Sequence, residues 1–254
     1  MMVRMKFIKT GPVKFIGHLD IMRFFQKAVR RAELDVEYSQ GFNPHQIMSF
    51  ASPLGVGLTS QSEYVDVSFN TLEEKSVVLG KLNAAMNEFI KVTDMVMLPE
   101  GFKNAMASVA AADYLVSLKD GYDYLSAEEF RQKFTEFLAK EEIVILKKTK
   151  KSEIETDIRP FIYSYSYTPQ EFFSNQSETN DFAESYENGV KVYLKLSSGS
   201  VNNLKPELIF EAFSAFAGFE FNEYAFQIHR YELYQESTSE DNSFIPLSEV
   251  GNEA

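Results

Sequence analysis

His18-Leu19-Asp20-Ile21-Met22-Arg23-Phe24-Phe25-Gln26-Lys27-Ala28-Val29-Arg30-Arg31-Ala32-Glu33-Leu34 carries the clearest period in the chain. Leu19, Met22, Phe25, Ala28, Val29 and Ala32 recur at three- and four-residue steps, which predicts one apolar helix face. Arg23, Lys27 and Arg30 fall on a second stripe at the same spacing, with Arg31 beside it. Asp20 sits in the first turn, where a negative charge suits the helix dipole.

The flanking patterns are those of strands. Val3 to Phe15 nearly alternates and bends at Gly11-Pro12, and Gly17 ends it. Val36 to Phe50 reads as strand, Gly41–Pro44 turn and returning strand; Glu63 to Phe69 alternates again. Leu72 to Phe89 returns to helical spacing, and Ile90 to Leu98 reads as a last strand before Pro99-Glu100-Gly101. Strand, helix, strand, strand, helix, strand is the ferredoxin-like split βαβ order.

A similar order follows from Ala112. Ser126 is suited to cap a helix with Glu128 and Glu129 behind it, and Pro206 and Gly218 suit the start and end of another. Strands are expected over Ile143–Lys148, Asp157–Tyr167, Val190–Leu196 and Tyr224–Leu233. The expected fold is α+β, two tandem ferredoxin-like domains over 1–101 and 102–235. The second holds an acidic insertion near 174–188, and 236–254 is expected to be an acidic disordered tail. A single larger α+β domain is the competing architecture.

Among 254 residues there is no cysteine, which excludes disulfides, thiolate metal sites and Cys nucleophiles within the chain. No apolar run approaches the ~20 residues needed to span a bilayer. Met1-Met2-Val3-Arg4 lacks the long apolar core of a secretory signal, so a cytoplasmic chain with no membrane partner is expected. The net charge of −12 argues against non-specific coating of nucleic acid. Up to Ser60, however, eight Lys and Arg stand against four Asp and Glu, so this region carries +4 and the remainder −16.

The candidate binding residues are Arg23, Lys27, Arg30 and Arg31, with Tyr38, Gln40, Phe42, Asn43 and His45 in the following turn. Guanidinium forks suit phosphate, and amide, imidazole and aromatic groups suit bases. A solvated helix face and a plain turn are the alternatives. His18 and His45 are the candidates for acid–base chemistry; either could instead bond a ligand, and His18 could cap its helix. Joining Asp20 they would make a weak metal pattern, and no metal or other cofactor is expected. Glu63 and Asp66, three apart in a strand, face opposite ways, and one of them is expected to hold a basic residue of the first helix. Asp157 and Arg159 are expected to form a structural ion pair. Lys147, Lys148, Lys150 and Lys151 form a compact cluster, and the phenylalanines at 130, 134, 137, 210, 213 and 216 read as core.

Phe15-Ile16-Gly17-His18-Leu19-Asp20, Arg23, Arg30-Arg31-Ala32, Tyr38-Ser39-Gln40-Gly41-Phe42-Asn43-Pro44-His45, Pro53-Leu54-Gly55-Val56-Gly57 and Glu63-Tyr64-Val65-Asp66 together resemble the bacterial radical-SAM-linked protein family. Asp157-Ile158-Arg159-Pro160 and Lys205-Pro206-Glu207 extend the resemblance, which covers the chain to about Tyr234. Gln46 stands where the family often has Pro. The resemblance implies an accessory module working with a separate radical-SAM enzyme, since this chain lacks the three cysteines that hold such a cluster. It suggests presentation of a substrate, RNA, for modification or processing. The alternatives are a metal-independent endoribonuclease using His18 or His45, by analogy of fold alone, and a protein-interaction domain that binds no nucleic acid.

Overall fold

The structure, a computed structural model, describes residues 1–148, 153–173, 182–200, 202–237, 243–250 and 252–253. In chain order its elements begin with β1 (Met2–Lys9), α1 (His18–Arg31), β2 (Met48–Phe50), β3 (Thr59–Ser68), α2 (Lys75–Ala84), β4 (Ile90–Met97) and α3 (Ala105–Ser108). There follow β5 (Ala111–Leu118), α4 (Ala127–Leu138), β6 (Val144–Lys148), β7 (Glu153–Asp157), β8 (Ile162–Ser166), α5 (Pro169–Phe172) and β9 (Lys191–Ser197). The last are α6 (Pro206–Ala217), β10 (Phe226–Glu236), β11 (Phe244–Pro246) and β12 (Asn252–Glu253). The fold is α+β, and among the described residues no helix is long and apolar enough to cross a membrane.

The chain forms two compact units, Met1–Ala111 with Arg230–Ala254, and Ala112–His229. The pattern-based spans 1–101 and 102–235 are contiguous, whereas the first unit here takes back the end of the chain. In this unit the strand order is β12-β4-β1-β3-β10, with β2 also on β3 and β11 on β10. β1 runs antiparallel to both β3 and β4. Val3, Met5 and Phe7, on one side of β1, pack with Ile21, Phe25, Ala28 and Val29 of α1 and with Val78 and Leu82 of α2. Phe25 is the hub, its ring 4.6 Å from Phe7 and 5.5 Å from Phe50 between centroids. Leu19, expected on the apolar face of α1, is 61% exposed, and Ile21 is buried instead. The first turn thus presents Leu19 outward.

The opposite side of β1 and β3 is polar yet buried. Arg4 donates to both carboxylate oxygens of Asp66 at 2.8 and 3.1 Å, and to the carbonyls of Lys103 and Leu247. Asp66 also accepts the Ala105 N–H that starts α3. Beside them Glu232 accepts from Lys6, Ser62 and Tyr64. The acidic 236–254 segment, expected to be a disordered tail, supplies part of the cover. Phe244–Pro246 pairs with Tyr234–Glu236, Leu247 is fully buried, and Asn252 and Glu253 pair with β4. Composition could not show this, because the cover depends on one apolar residue, Leu247, that the fold buries completely.

In the second unit the strand order is β5-β9-β8, with the first residues of β10 (226–229) beside β5, and β6 and β7 form a separate hairpin. α4 begins with a full capping box between Ser126 and Glu129, and α6 runs from Pro206 to a left-handed Gly218 at φ 87°. Phe130, Phe134 and Phe137 of α4 pack against Phe210 and Phe213 of α6, all buried, while Phe216 lies at the edge under the Lys140 ammonium. Asp157 and Arg159 make no ion pair. Asp157 accepts the backbone N–H groups of Ile143 and Arg159, and the Arg159 guanidinium donates to the carbonyls of Leu138 and Ile162. Each satisfies backbone left open between elements. Lys150, Lys151 and residues 174–181 of the acidic insertion lie outside the described residues.

Gly11 follows β1 at φ 56°, and a Cβ there would lie 2.5 Å from the Phe89 ring. Phe89 is held in place by its carbonyl, which accepts the Thr10 N–H. Gly11→Ala therefore combines a left-handed backbone penalty of about 1–2 kcal/mol with a steric clash. A loss of stability of at least that size is expected in urea denaturation.

Candidate functional site

The cationic stripe lies along the exposed side of α1: Arg23, Lys27, Arg30 and Arg31 are all exposed. Arg23 makes an exposed pair with Asp20 at 3.2 Å, a contact worth little in water. The hairpin leans on this helix through Gln46, whose amide donates to the Gln26 carbonyl and to the Tyr38 hydroxyl. At its tip Gln40, Phe42 and Asn43 are exposed, and Tyr38 is 44% exposed. His45 closes the loop. Its ring Nδ1 lies 2.8 Å from the Ser39 hydroxyl, and backbone bonds between Ser39 and His45 complete the closure.

His18 is elsewhere. It starts α1 at the end opposite Arg30 and Arg31, about 20 Å away at 1.5 Å per residue. It caps nothing: Gly17 is the N-cap residue, and the His18 ring makes no hydrogen bond to a described residue. Instead it stands edge-on to Phe50 at 5.2 Å and lines a small cleft. Phe7, Lys9, Ile21, Ala51, Ser52, Pro53, Leu54, Glu63 and Tyr64 complete the lining around a space of about 20 Å3. Three stretches of the resemblance, at His18, Pro53-Leu54 and Glu63-Tyr64, thus meet at one place. Arg23 and His45 do not reach it, so the two histidines form no acid–base pair. Among the described residues no three His, Asp or Glu side chains gather as metal ligands.

The floor of the cleft is charged. Glu63 is bound by Arg230 of β10, through Nε at 2.8 Å and Nη2, and the same guanidinium donates to the Ser52 carbonyl at 2.7 Å. Neither Glu63 nor Asp66 holds a residue of α1; both pair with arginines of neighbouring strands. Lys9 is 2% exposed, and its ammonium donates to the Ile16 carbonyl at 3.1 Å and the Lys14 carbonyl at 3.5 Å. Burial lowers the Lys9 pKa, Arg230 lowers it further, and Glu63 opposes both. Burial likewise lowers the His18 pKa below 6.5, with Glu63 opposing and Lys9 assisting.

Lys9 and Arg230 are the cleft residues that motif reading missed. The signal for Lys9 is its parity: it continues the inward series Val3, Met5, Phe7, so its side chain points into the fold. Arg230 has no such local signal, because its partner lies far back in the chain.

A family described as an uncharacterized protein conserved in bacteria (DUF2344) matches residues 2–206. The chain belongs to this family. The matched span includes α1, the hairpin, Lys9, His18 and Glu63, and stops before Arg230. No curated protein matches the sequence.

Because the folded His18 binds its proton more weakly than the unfolded chain, its contribution to stability is complete above pH 6.5 and is lost as pH falls through the folded value. NMR titration of His18 should give a midpoint below 6.5, and Lys9→Met should raise it by removing a neighbouring positive charge. Glu63→Gln, which leaves Arg230 buried beside a neutral partner, should cost about 3–5 kcal/mol in denaturant unfolding.

Proposed function

We propose that this chain is an RNA-binding, substrate-presenting accessory module that acts with a separate radical-SAM enzyme in RNA modification or processing, in the cytoplasm. The observation that carries it is the face of α1. Lys27, Arg30 and Arg31 are exposed with no carboxylate partner among the described residues, next to a hairpin that holds Tyr38 and Phe42 out in solvent. Such a face offers phosphate contacts in a line and aromatic surfaces for stacking. The absence of cysteine supports a division of labour in which another chain holds the iron–sulfur cluster.

The proposal takes both units as ferredoxin-like. In the first, β1 lies between β4 and β3, with β2 outside; in the second, β5 lies between β10 and β9, with β8 outside. Both follow the split βαβ chain order, the second with the β6–β7 hairpin added. Four-stranded sheets of this kind can stack bases on their open face. In the first unit that face is covered by Leu247 and the Arg4–Asp66 network. RNA is therefore assigned to α1 and the hairpin rather than to the sheet.

A second reading, a metal-independent endoribonuclease, is favoured by one observation: His18 stands unbonded in a cleft with Lys9 and Glu63. RNA incubated with the protein and recovered intact across a range of pH would end it.

For the binding module, Arg23→Ala with Arg30→Ala should weaken RNA binding and reduce the slope of log K against log salt by about one per cation removed. Filter binding or fluorescence anisotropy at several salt concentrations measures both. Binding that is unchanged by the double substitution and insensitive to salt would exclude the α1 interface.

A further inference from the structure

Lys9 is costly where it is. An ammonium that is 2% exposed, held by two carbonyls, is poorly compensated for its lost hydration. No described carboxylate lies within ion-pair distance of it, because Glu63 is committed to Arg230. Among the described residues, the charged side chains at the cleft are Lys9 and Glu63, with Arg230 bound to Glu63 beneath them and His18 neutral above its lowered pKa. One positive charge is left over at the cleft. The His18 ring, which lines the same space, supplies a second polar group there.

We propose that this cleft binds the carboxylate of a small organic acid, with Lys9 and His18 as the two donors and the ligand's apolar body lying over Phe15, Leu19 and Val56. The space of about 20 Å3 admits a group of one or two waters' size, which favours a flat carboxylate over a tetrahedral phosphate. The donor set agrees. Arg230, whose fork would suit phosphate, already serves Glu63 and Ser52, leaving two side-chain donors for two carboxylate oxygens.

The apolar body follows from the surroundings. Phe7, Ile21, Phe50, Pro53 and Leu54 form most of the walls. Close in the chain to the lining residues, and outside the lining itself, large apolar side chains are exposed: Leu19 beside His18 at 61%, Val56 beyond Leu54 at 62%, and Phe15 at 66% between the Lys14 and Ile16 carbonyls that hold Lys9. Gly57 N–H donates to the Lys14 carbonyl at 2.8 Å, which ties the Val56 segment to the Phe15 segment. A binding site that is mostly apolar with a few convergent polar groups is the usual form for small organic ligands.

This inference is independent of the RNA interface, which uses other residues of α1. The probe is benzoate, with phenyl phosphate and benzyl alcohol as comparisons, followed through the histidine ring resonances of the full chain. Benzoate is expected to shift the His18 resonances saturably while sparing His45 and His229. Lys9→Met, folded as judged by circular dichroism, is expected to bind at least tenfold more weakly, and His18→Ala, read by calorimetry because the reporting ring is gone, gives the same loss should Lys9→Met fail to fold. Arg23→Ala with Arg30→Ala should leave benzoate binding unchanged, so either proposal can fail alone. Equal binding of benzyl alcohol would overturn the anionic site. Binding of phenyl phosphate as tight as that of benzoate would overturn the carboxylate assignment. Absence of any His18 shift up to the solubility limit, or undiminished binding by Lys9→Met, would overturn both.

Discussion

β3 carries two buried carboxylates, Glu63 and Asp66, and each requires a cation brought from a neighbouring strand. Three residues apart on a strand, they face opposite ways, so one partner cannot serve both. Arg4 of β1 answers Asp66 on one side, and Arg230 of β10 answers Glu63 on the other. Such pairs add little net stability, since desolvation offsets most of the attraction, but leaving either member alone is expensive. Their effect is on alignment. Arg4 lies directly opposite Asp66 in the β1–β3 register, and a one-residue slip would send the guanidinium into the phenylalanine core beneath α1.

That alignment also sets where the apolar core gives way to chemistry. The inward series of β1 runs Val3, Met5, Phe7 and then Lys9, so the core ends in an ammonium at the end of this interior strand. His18 and the Ala51–Leu54 segment close over it, and the Arg230–Glu63 pair forms its floor. α1 thereby serves two surfaces. Its first turn contributes to a mostly apolar cleft, and the rest of its outer face offers an open cationic track. The physics of the two differs, since solvent screens the exposed track, whereas Lys9 in the cleft is buried and screened less.

Much of both units was legible where local signals coincide. The three- and four-residue spacing of Phe25, Ala28 and Val29 located α1, and Pro206 and Gly218 bracketed α6. Leu19 misled because spacing reports a face and not the point at which the face leaves the core. The cleft was half legible: His18, Pro53-Leu54 and Glu63-Tyr64 stood out as motifs, but nothing local says they converge. Arg230 and Leu247 were illegible for one reason. Both act on residues far earlier in the chain, and such pairings leave no periodic trace. The ordered parts of 236–254 escaped notice similarly, since a strand of three residues is too short to show alternation.

The first unit is discontinuous, with Ala112–His229 interposed before Arg230–Ala254 returns to it. Chains are made from the N-terminus, and compact units fold as their last residue becomes free. On the ribosome, the unit made first is therefore finished last. Until Arg230 emerges, Glu63 is without its guanidinium, and until Leu247 emerges, Arg4 lacks one of its acceptors. The second unit is under no such delay. During synthesis the cleft's floor stays incomplete until Arg230 has been made, so a nascent fragment of the first unit would not yet carry the finished pocket.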